Sequence, residues 1–297
     1  MPIVPSTLAA RRDFRFFDSS LDEFLLSLLS SQQIPLSPTP KKPSELRTKY
    51  ELGSYIKQHG LHHKVRTCGL RWQCGNEFLC PFCTPKRLKA DRSSIEGLLR
   101  VAPSAEFVTL TVHHDADHTL ADLWDAITSA WALMTKGKRW DKFRARFGVS
   151  GNVRAFDATW SPERGWHPHW HVAFVFEKEL SEHKLAGFRA ELTERWVAAL
   201  NAVGHTGQAA AQRSEAIRNP AAVAAYLTGN SPFKLSETAL PSYTPGDFLH
   251  SATQGDLTAA ELWSKYEAAS HHRRALAGAG VFRTMPRIAE RRVVQFE

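Results

Sequence analysis

The run His167-Pro168-His169-Trp170-His171-Val172 constrains this chain more than any other stretch. It leads into Ala173-Phe174-Val175-Phe176 and stops at Glu177. The run is short, rich in aromatic and β-branched residues, and follows the turn formers Pro162 and Gly165, which predicts a β-strand. In a strand, residues two apart share a face. His169 and His171 therefore project to one side, with the small Ala173 beside them. Trp170, Val172, Phe174 and Phe176 project to the other side as a core face. Two imidazoles at this spacing can bind one divalent metal through neutral ring nitrogens. The competing reading is a pair of histidines on a solvated strand face, satisfied by water.

A second strand, Val153 to Trp160, precedes the first. Phe156, Ala158 and Trp160 share one of its faces, and Asp157 and Thr159 share the other. With the loop Ser161 to Pro168 the two strands read as a β-hairpin, in which Asp157 can face the same side as His169 and His171. Two imidazoles and a carboxylate would hold Mg²⁺ or Mn²⁺ with open positions for a phosphate oxygen. His167 precedes Pro168 and is placed outside the strand, as a candidate substrate contact rather than a ligand. Upstream, Glu106 to Val112 alternates: Val108, Leu110 and Val112 on one face, Thr109 and Thr111 on the other, with His113 following in phase. That is a half-buried strand.

Helices separate these strands. Thr119 is the expected N-cap of a helix with the stripe Leu120, Leu123, Trp124, Ile127, Trp131 and Met134. The segment Lys136 to Arg146 is strongly basic and interleaved with Trp140 and Phe143. It reads either as a solvated face over a packed stripe or as a DNA-contacting surface. Ser181 to Val203 is a long amphipathic helix. Asn219-Pro220 opens a further helix, since Asn favours the N-cap and Pro the first turn, and Gly229 ends it. Tyr226 is the one large polar-tipped residue on that helix, and taken alone it reads as a core tyrosine. A last helix runs from Thr258 to Ala269, before the basic cluster His271-His272-Arg273-Arg274.

Composition sets the partner class. The net charge is +8, and the chain has 9 tryptophans and 17 phenylalanines. Cations neutralise phosphates and aromatics stack bases, a combination suited to single-stranded nucleic acid. No apolar run reaches transmembrane length, so no membrane partner is expected. The arginines near the N-terminus follow the apolar residues, the reverse of a secretory signal, and the expected location is cytoplasmic. In a reducing compartment, Cys68, Cys74, Cys80 and Cys83 point to metal rather than disulfides. Together they can form a closed tetrathiolate site for structural Zn²⁺, with His62 or His63 able to replace one thiolate. The alternative is a set of ordinary buried thiols. The N-terminal part reads as a helix (Ser20 to Ser30), a linker with four prolines (Pro35 to Pro43), and a second helix (Ser44 to Gln58).

In order, the strand Phe107-Val108-Thr109-Leu110-Thr111, the run Gly165-Trp166-His167-Pro168-His169-Trp170-His171-Val172 and the helix segment Ala224-Ala225-Tyr226-Leu227-Thr228 resemble three motifs of a known family. It is the rolling-circle plasmid replication initiators, the Rep proteins of the HUH endonuclease superfamily. The cysteine segment and Leu262 to Leu276 also resemble it, so the likeness covers residues 61–280. The resemblance implies an α+β fold of HUH endonuclease type, with a central antiparallel sheet, helices on its faces and the metal on one sheet face. A small cysteine-rich zinc module and a helical C-terminal appendage complete the expectation. The implied domains are an N-terminal helix and linker (1–43), a zinc module (44–95), a nicking domain (96–235) and a basic helical region (236–297).

The resemblance further implies a function. His169, His171 and Asp157 hold Mg²⁺ or Mn²⁺, and Tyr226 attacks plasmid origin DNA to give a 5′-phosphotyrosyl enzyme and a free 3′-OH. Host helicase and polymerase are the implied further partners. Three positions depart from the family pattern. Gly229 stands where a lysine is frequent, with Lys234 the nearest substitute. Ala222 stands where many members carry a glutamate, and the strand acid, usually glutamate, is Asp157. An HUH transposase or relaxase would use the same motifs. A non-enzymatic, zinc-dependent DNA-binding regulator is the alternative from another class.

Overall fold

A computed structural model of the chain describes residues 78, 83–229, 242–253 and 256–284. The expected N-terminal helices and linker, Cys68, Cys74, Cys80 and Lys234 lie outside the described residues, as does the side chain of Cys83. The described residues fall into two compact units, one holding 87–229 and 272–284, the other residue 78 with 83–86, 242–253 and 256–271.

The first unit is built on five strands: β1 (Ser104–Thr111), β2 (Val149–Ser161), β3 (Gly165–Phe176), β4 (Arg213–Ala216) and β5 (Leu276–Gly280). They form one antiparallel sheet in the order β4-β1-β3-β2-β5. Helices α1 (Cys83–Val101, of which 87–101 belong to this unit), α2 (Leu120–Met134), α3 (Gly137–Phe147), α4 (Glu182–Ala202) and α5 (Pro220–Gly229) complete an α+β architecture. The caps are those the sequence offers. Thr119 accepts from the Asp122 amide, Ser181 from the Lys184 amide, and Asn219 Oδ1 from the Ala222 amide. Gly148 ends α3 in the left-handed region at φ 64°, where only glycine is unstrained.

The large side chains of β3 and β1 make the thicker core. Trp124 of α2 stacks on Phe156 with ring centroids 3.4 Å apart. Phe188 of α4 meets Phe143, Phe147, Phe174 and Phe176. Two of the buried indoles in this core are satisfied by backbone: Trp170 donates to the Ile127 carbonyl and Trp196 to the Thr111 carbonyl. The opposite sheet face is lined with small residues, Ala105, Val153, Ala155, Ala173 and Val175, packed against Ile95 and Leu99 of α1 and Ala224 and Leu227 of α5. Small side chains let α5 lie close to the sheet, and that closeness brings Tyr226 against His171 in the middle of β3.

Three features differ from the sequence reading. His167 lies inside β3, paired with Thr159, rather than ahead of the strand. Pro168 is tolerated because it falls just past the last rung between β3 and β1, Thr111↔His169, where β3 has a neighbour on one side only. Residues 276–280, expected within a helical region, form the edge strand β5. Arg213–Ala216, read as a polar stretch, forms the other edge.

In the second unit, α6 (Pro245–Thr253) packs on α7 (Leu257–Ser270), which is capped by Asp256. Phe248, Leu249, Trp263 and Tyr266 are buried there, and Phe78 meets Tyr266 edge-on. Among the described residues, no helix is long and apolar enough to cross a membrane.

Candidate functional site

The register of the hairpin decides which side chains meet. Asp157 is directly opposite His169 across β2 and β3, and Ala155 is opposite His171. On the other flank of β3, Thr109 is opposite His171 and Thr111 opposite His169. Asp157, His169, His171, Thr109 and Thr111 thus share one sheet face. His169 and His171 are buried and Asp157 partly so.

Asp157 Oδ2 lies 3.4 Å from His169 Nε2 and 3.5 Å from His171 Nε2. One ligand atom from each of the three residues falls within 4.8 Å of the others, so the trio could hold a metal ion. The surrounding hydrogen bonds fit that use. His169 Nδ1 lies 3.3 Å from the His167 carbonyl oxygen, which only accepts. His171 Nδ1 lies 3.2 Å from Thr109 Oγ1. With protons on both Nδ1 atoms, two Nε2 lone pairs and a carboxylate oxygen converge, a set that a cation satisfies. Asp157 Oδ1 is occupied separately by the Ala158 amide at 2.9 Å.

The electrostatics agree. Burial works against the Asp157 carboxylate, but hydrogen bonding to His169 and His171 outweighs it and holds the carboxyl well below its usual range. Burial pushes His171 down to about 4, against the hydrogen bond to Asp157. Burial pushes His167 down to about 3, with the charges of His169 and His114 adding to it. Neutral imidazoles are the ligating form.

Tyr226 reaches this face from α5. Its Oη lies 3.3 Å from His171 Nε2. Its ring stands edge-on to His171 at 4.8 Å and to Phe107 at 5.7 Å. The residue is 45% exposed. Burial, and then the charge of Asp157, raise the phenol above its ordinary value. The residue pattern of α5 carries no sign of this contact, because it depends on where α5 lands on the sheet. Ala222 and Glu215 both line a cleft of about 680 Å³ beside α5, together with Phe107 and Asn219.

His167 is not among the three converging residues. Its Nε2 bonds Thr111 Oγ1 at 2.9 Å, and its ring stacks on His114 at 4.6 Å. Sequence alternation favours His113 as the next residue in phase, but β1 ends at Thr111 and the phase is lost. His113 is exposed, with its amide bonded to the Thr206 carbonyl. His114 is the residue that joins the face. Phe107, stacked on His171 at 5.5 Å, joins the face from β1.

Comparison with known proteins places these residues in context. Residues 66–291 match the model of a family described as "Replication protein", Rep_1. The curated "Neomycin resistance protein" of Streptomyces cyanogenus is 30% identical, over 34% of this chain and 29% of that protein. "Protein rep" of Streptomyces lividans is 27% identical, over 34% of this chain and 28% of that protein. The matched part is under a third of the length of either relative. No solved structure matches the chain. The family match spans the whole sheet, the His-Asp trio and Tyr226, and the chain belongs to the Rep_1 replication protein family.

Proposed function

We propose that the chain is a plasmid replication initiator with an HUH-type nicking centre, acting on origin DNA by tyrosine transesterification. One observation carries the proposal: the hydroxyl of Tyr226, a surface-exposed residue, lies 3.3 Å from a nitrogen of the His-Asp trio. A nucleophile beside a cation site suits attack on a phosphodiester bound at that site.

In this reading Asp157, His169 and His171 hold Mg²⁺ or Mn²⁺. The bound ion supplies Lewis-acid polarisation of the scissile phosphate. Thr109 and the His167 carbonyl orient the two imidazoles. Phe107 buttresses both His171 and Tyr226, fixing the direction from which Oη approaches. The Tyr226 Oη–phosphorus bond forms as the phosphorus–O3′ bond breaks. The phenol proton passes to solvent, and the released oxygen is protonated to a 3′-OH, which primes synthesis by a host polymerase with a host helicase opening the duplex. The 5′-phosphotyrosine retains a phosphodiester linkage, so the strand can be rejoined without ATP. Residues 96–235 form the proposed nicking domain. Cys68, Cys74, Cys80 and Cys83 are proposed to hold a structural Zn²⁺, and residues 236–297 to add DNA contacts.

The test is a covalent adduct. The full chain is mixed with single-stranded oligonucleotides tiling the replicon that encodes it, with Mn²⁺ or with chelator. A denaturation-resistant adduct that needs metal and disappears in Tyr226→Phe and in His169→Ala/His171→Ala is the expected result. An adduct that persists in Tyr226→Phe overturns the nucleophile. Binding with no adduct under any metal overturns nicking in favour of a DNA-binding regulator.

A further inference from the structure

The metal-binding face does not end at His169. Ring centroids step from His171 to His169 at 4.4 Å, from His169 to His167 at 5.0 Å, and from His167 to His114 at 4.6 Å. The last two rings are nearly parallel, 15° apart, whereas His169 and His171 stand at 86°. Both members of the parallel pair are pinned: His167 by Thr111 Oγ1 at 2.9 Å, His114 by the Val112 carbonyl at 3.3 Å. The loop carrying His114 is itself fixed. Gly165, at φ 69°, packs so tightly that a Cβ there would lie 3.0 Å from the Asp115 carbonyl oxygen. An aromatic plane is what proteins stack one base of a single strand on. His114 is only half-buried.

Polarity follows from the proposed chemistry, on which this inference rests. Tyr226 touches the His171 end of the row and His114 the His167 end. Those ends are four residues apart on β3, about 13 Å at strand rise. In-line attack puts the leaving O3′ on the side of phosphorus away from Tyr226. We propose that the stacked pair His114–His167 is a nucleobase subsite for single-stranded DNA that holds the nucleotide immediately 5′ of the nick, the one that departs with the 3′-OH.

The full chain is titrated, in chelator, with fluorescein-labelled single-stranded oligonucleotides from the tiled set, and binding is read by anisotropy. His114→Ala is expected to weaken binding about 5- to 150-fold, the range of one lost base–aromatic stack. His114→Phe is expected to restore it, and Mn²⁺ affinity to remain unchanged in both, which also reports that the site is folded. An abasic scan then locates the base. In the oligonucleotide that forms the adduct, removing the base 5′ of the nick should cost wild type as much as His114→Ala does, with no further loss when the two are combined. Wild-type binding by His114→Ala, or additive losses at that position, overturns the subsite while leaving nicking intact. If no adduct forms, the scan is run on the tightest-binding oligonucleotide. One non-additive position then keeps the stacking and removes the polarity, and no such position removes both.

Discussion

A threonine hydroxyl fixes how the site presents its second imidazole. Thr109 Oγ1 lies 3.2 Å from His171 Nδ1, and among the described residues no backbone carbonyl serves that nitrogen as the His167 carbonyl serves His169. A group of this kind sets the tautomer and ring orientation of a ligand, and its loss commonly weakens metal affinity about 10- to 100-fold. Thr109→Val keeps the β-branched shape that β1 needs while removing the oxygen. It should weaken Mn²⁺ binding by that factor in a calorimetric titration, with an unchanged unfolding midpoint in chelator. Thr109→Ser, which keeps an oxygen, should bind Mn²⁺ within a few-fold of wild type. Equal affinity in wild type and Thr109→Val would mean that packing against Phe107 alone orients His171.

Between elements, a two-point ion pair joins α4 to β1. Arg189 Nε donates to Glu106 Oε1 at 2.6 Å and Nη2 to Oε2 at 3.2 Å, and Glu106 has no exposed surface. Burial raises the Glu106 carboxyl above its ordinary value, and Arg189 offsets this only in part. Removing one partner of a buried pair costs about 3–5 kcal/mol, because the remaining charge is stranded. Arg189→Ala should show that loss in urea unfolding at pH 7. The pH dependence has a definite sign. With Arg189 gone, the folded-state value of Glu106 moves further above the unfolded one, so the folded state binds its proton more tightly. The deficit is then full above the folded value and shrinks as pH falls towards the unfolded one. A deficit independent of pH would place its origin in lost packing of the arginine stem. The same two elements show what sequence could disclose. β1 and the hairpin strands were legible because they alternate, and α2 and α4 because Thr119 and Ser181 cap clear apolar stripes. β4 was not, since Arg-Ser-Glu-Ala offers no apolar face to an edge exposed to solvent. β5 was not, since Leu-Ala-Gly-Ala-Gly carries no β-branched residue. Its glycines serve close approach instead: a Cβ on Gly278 would sit 2.6 Å from the Phe282 carbonyl oxygen. The trio Asp157, His169 and His171 could be brought to one face by period-two reasoning alone. Tyr226 and His114 could not, because one depends on the docking of α5 and the other on where β1 stops.

Across the whole chain, the net charge is +8, and one short described stretch is strongly basic. Lys136, Lys138, Arg139, Lys142, Arg144 and Arg146 stand against a single acid, Asp141, in one short stretch that includes α3. Trp140, Phe143 and Phe147 are buried, which commits the other side of the helix to solvent. Some cations are spent internally: Arg146 pairs with Glu191, and Arg144 donates to the Val149 carbonyl. Lys136, Lys138, Arg139 and Lys142 are exposed, and among the described residues none of their side chains has an ion pair. Cations free of internal partners are available to phosphates, and phosphate contacts differ from base contacts in a measurable way. They carry no sequence information, and each one released by mutation lowers the slope of log affinity against log salt by about 0.7 on single strands or 0.9 on duplex. Lys138→Gln/Lys142→Gln should therefore weaken binding to every oligonucleotide by a similar factor at low salt and reduce the slope by about 1.4 to 1.8. His114→Ala, by contrast, should leave the slope unchanged and lose affinity only where the base it stacks on is present. A double lysine variant with the wild-type slope would remove α3 from the DNA path and leave its charge as a matter of solubility alone. A reduced slope would assign α3 to the backbone and the histidine row to the base, two sources of binding energy that salt separates.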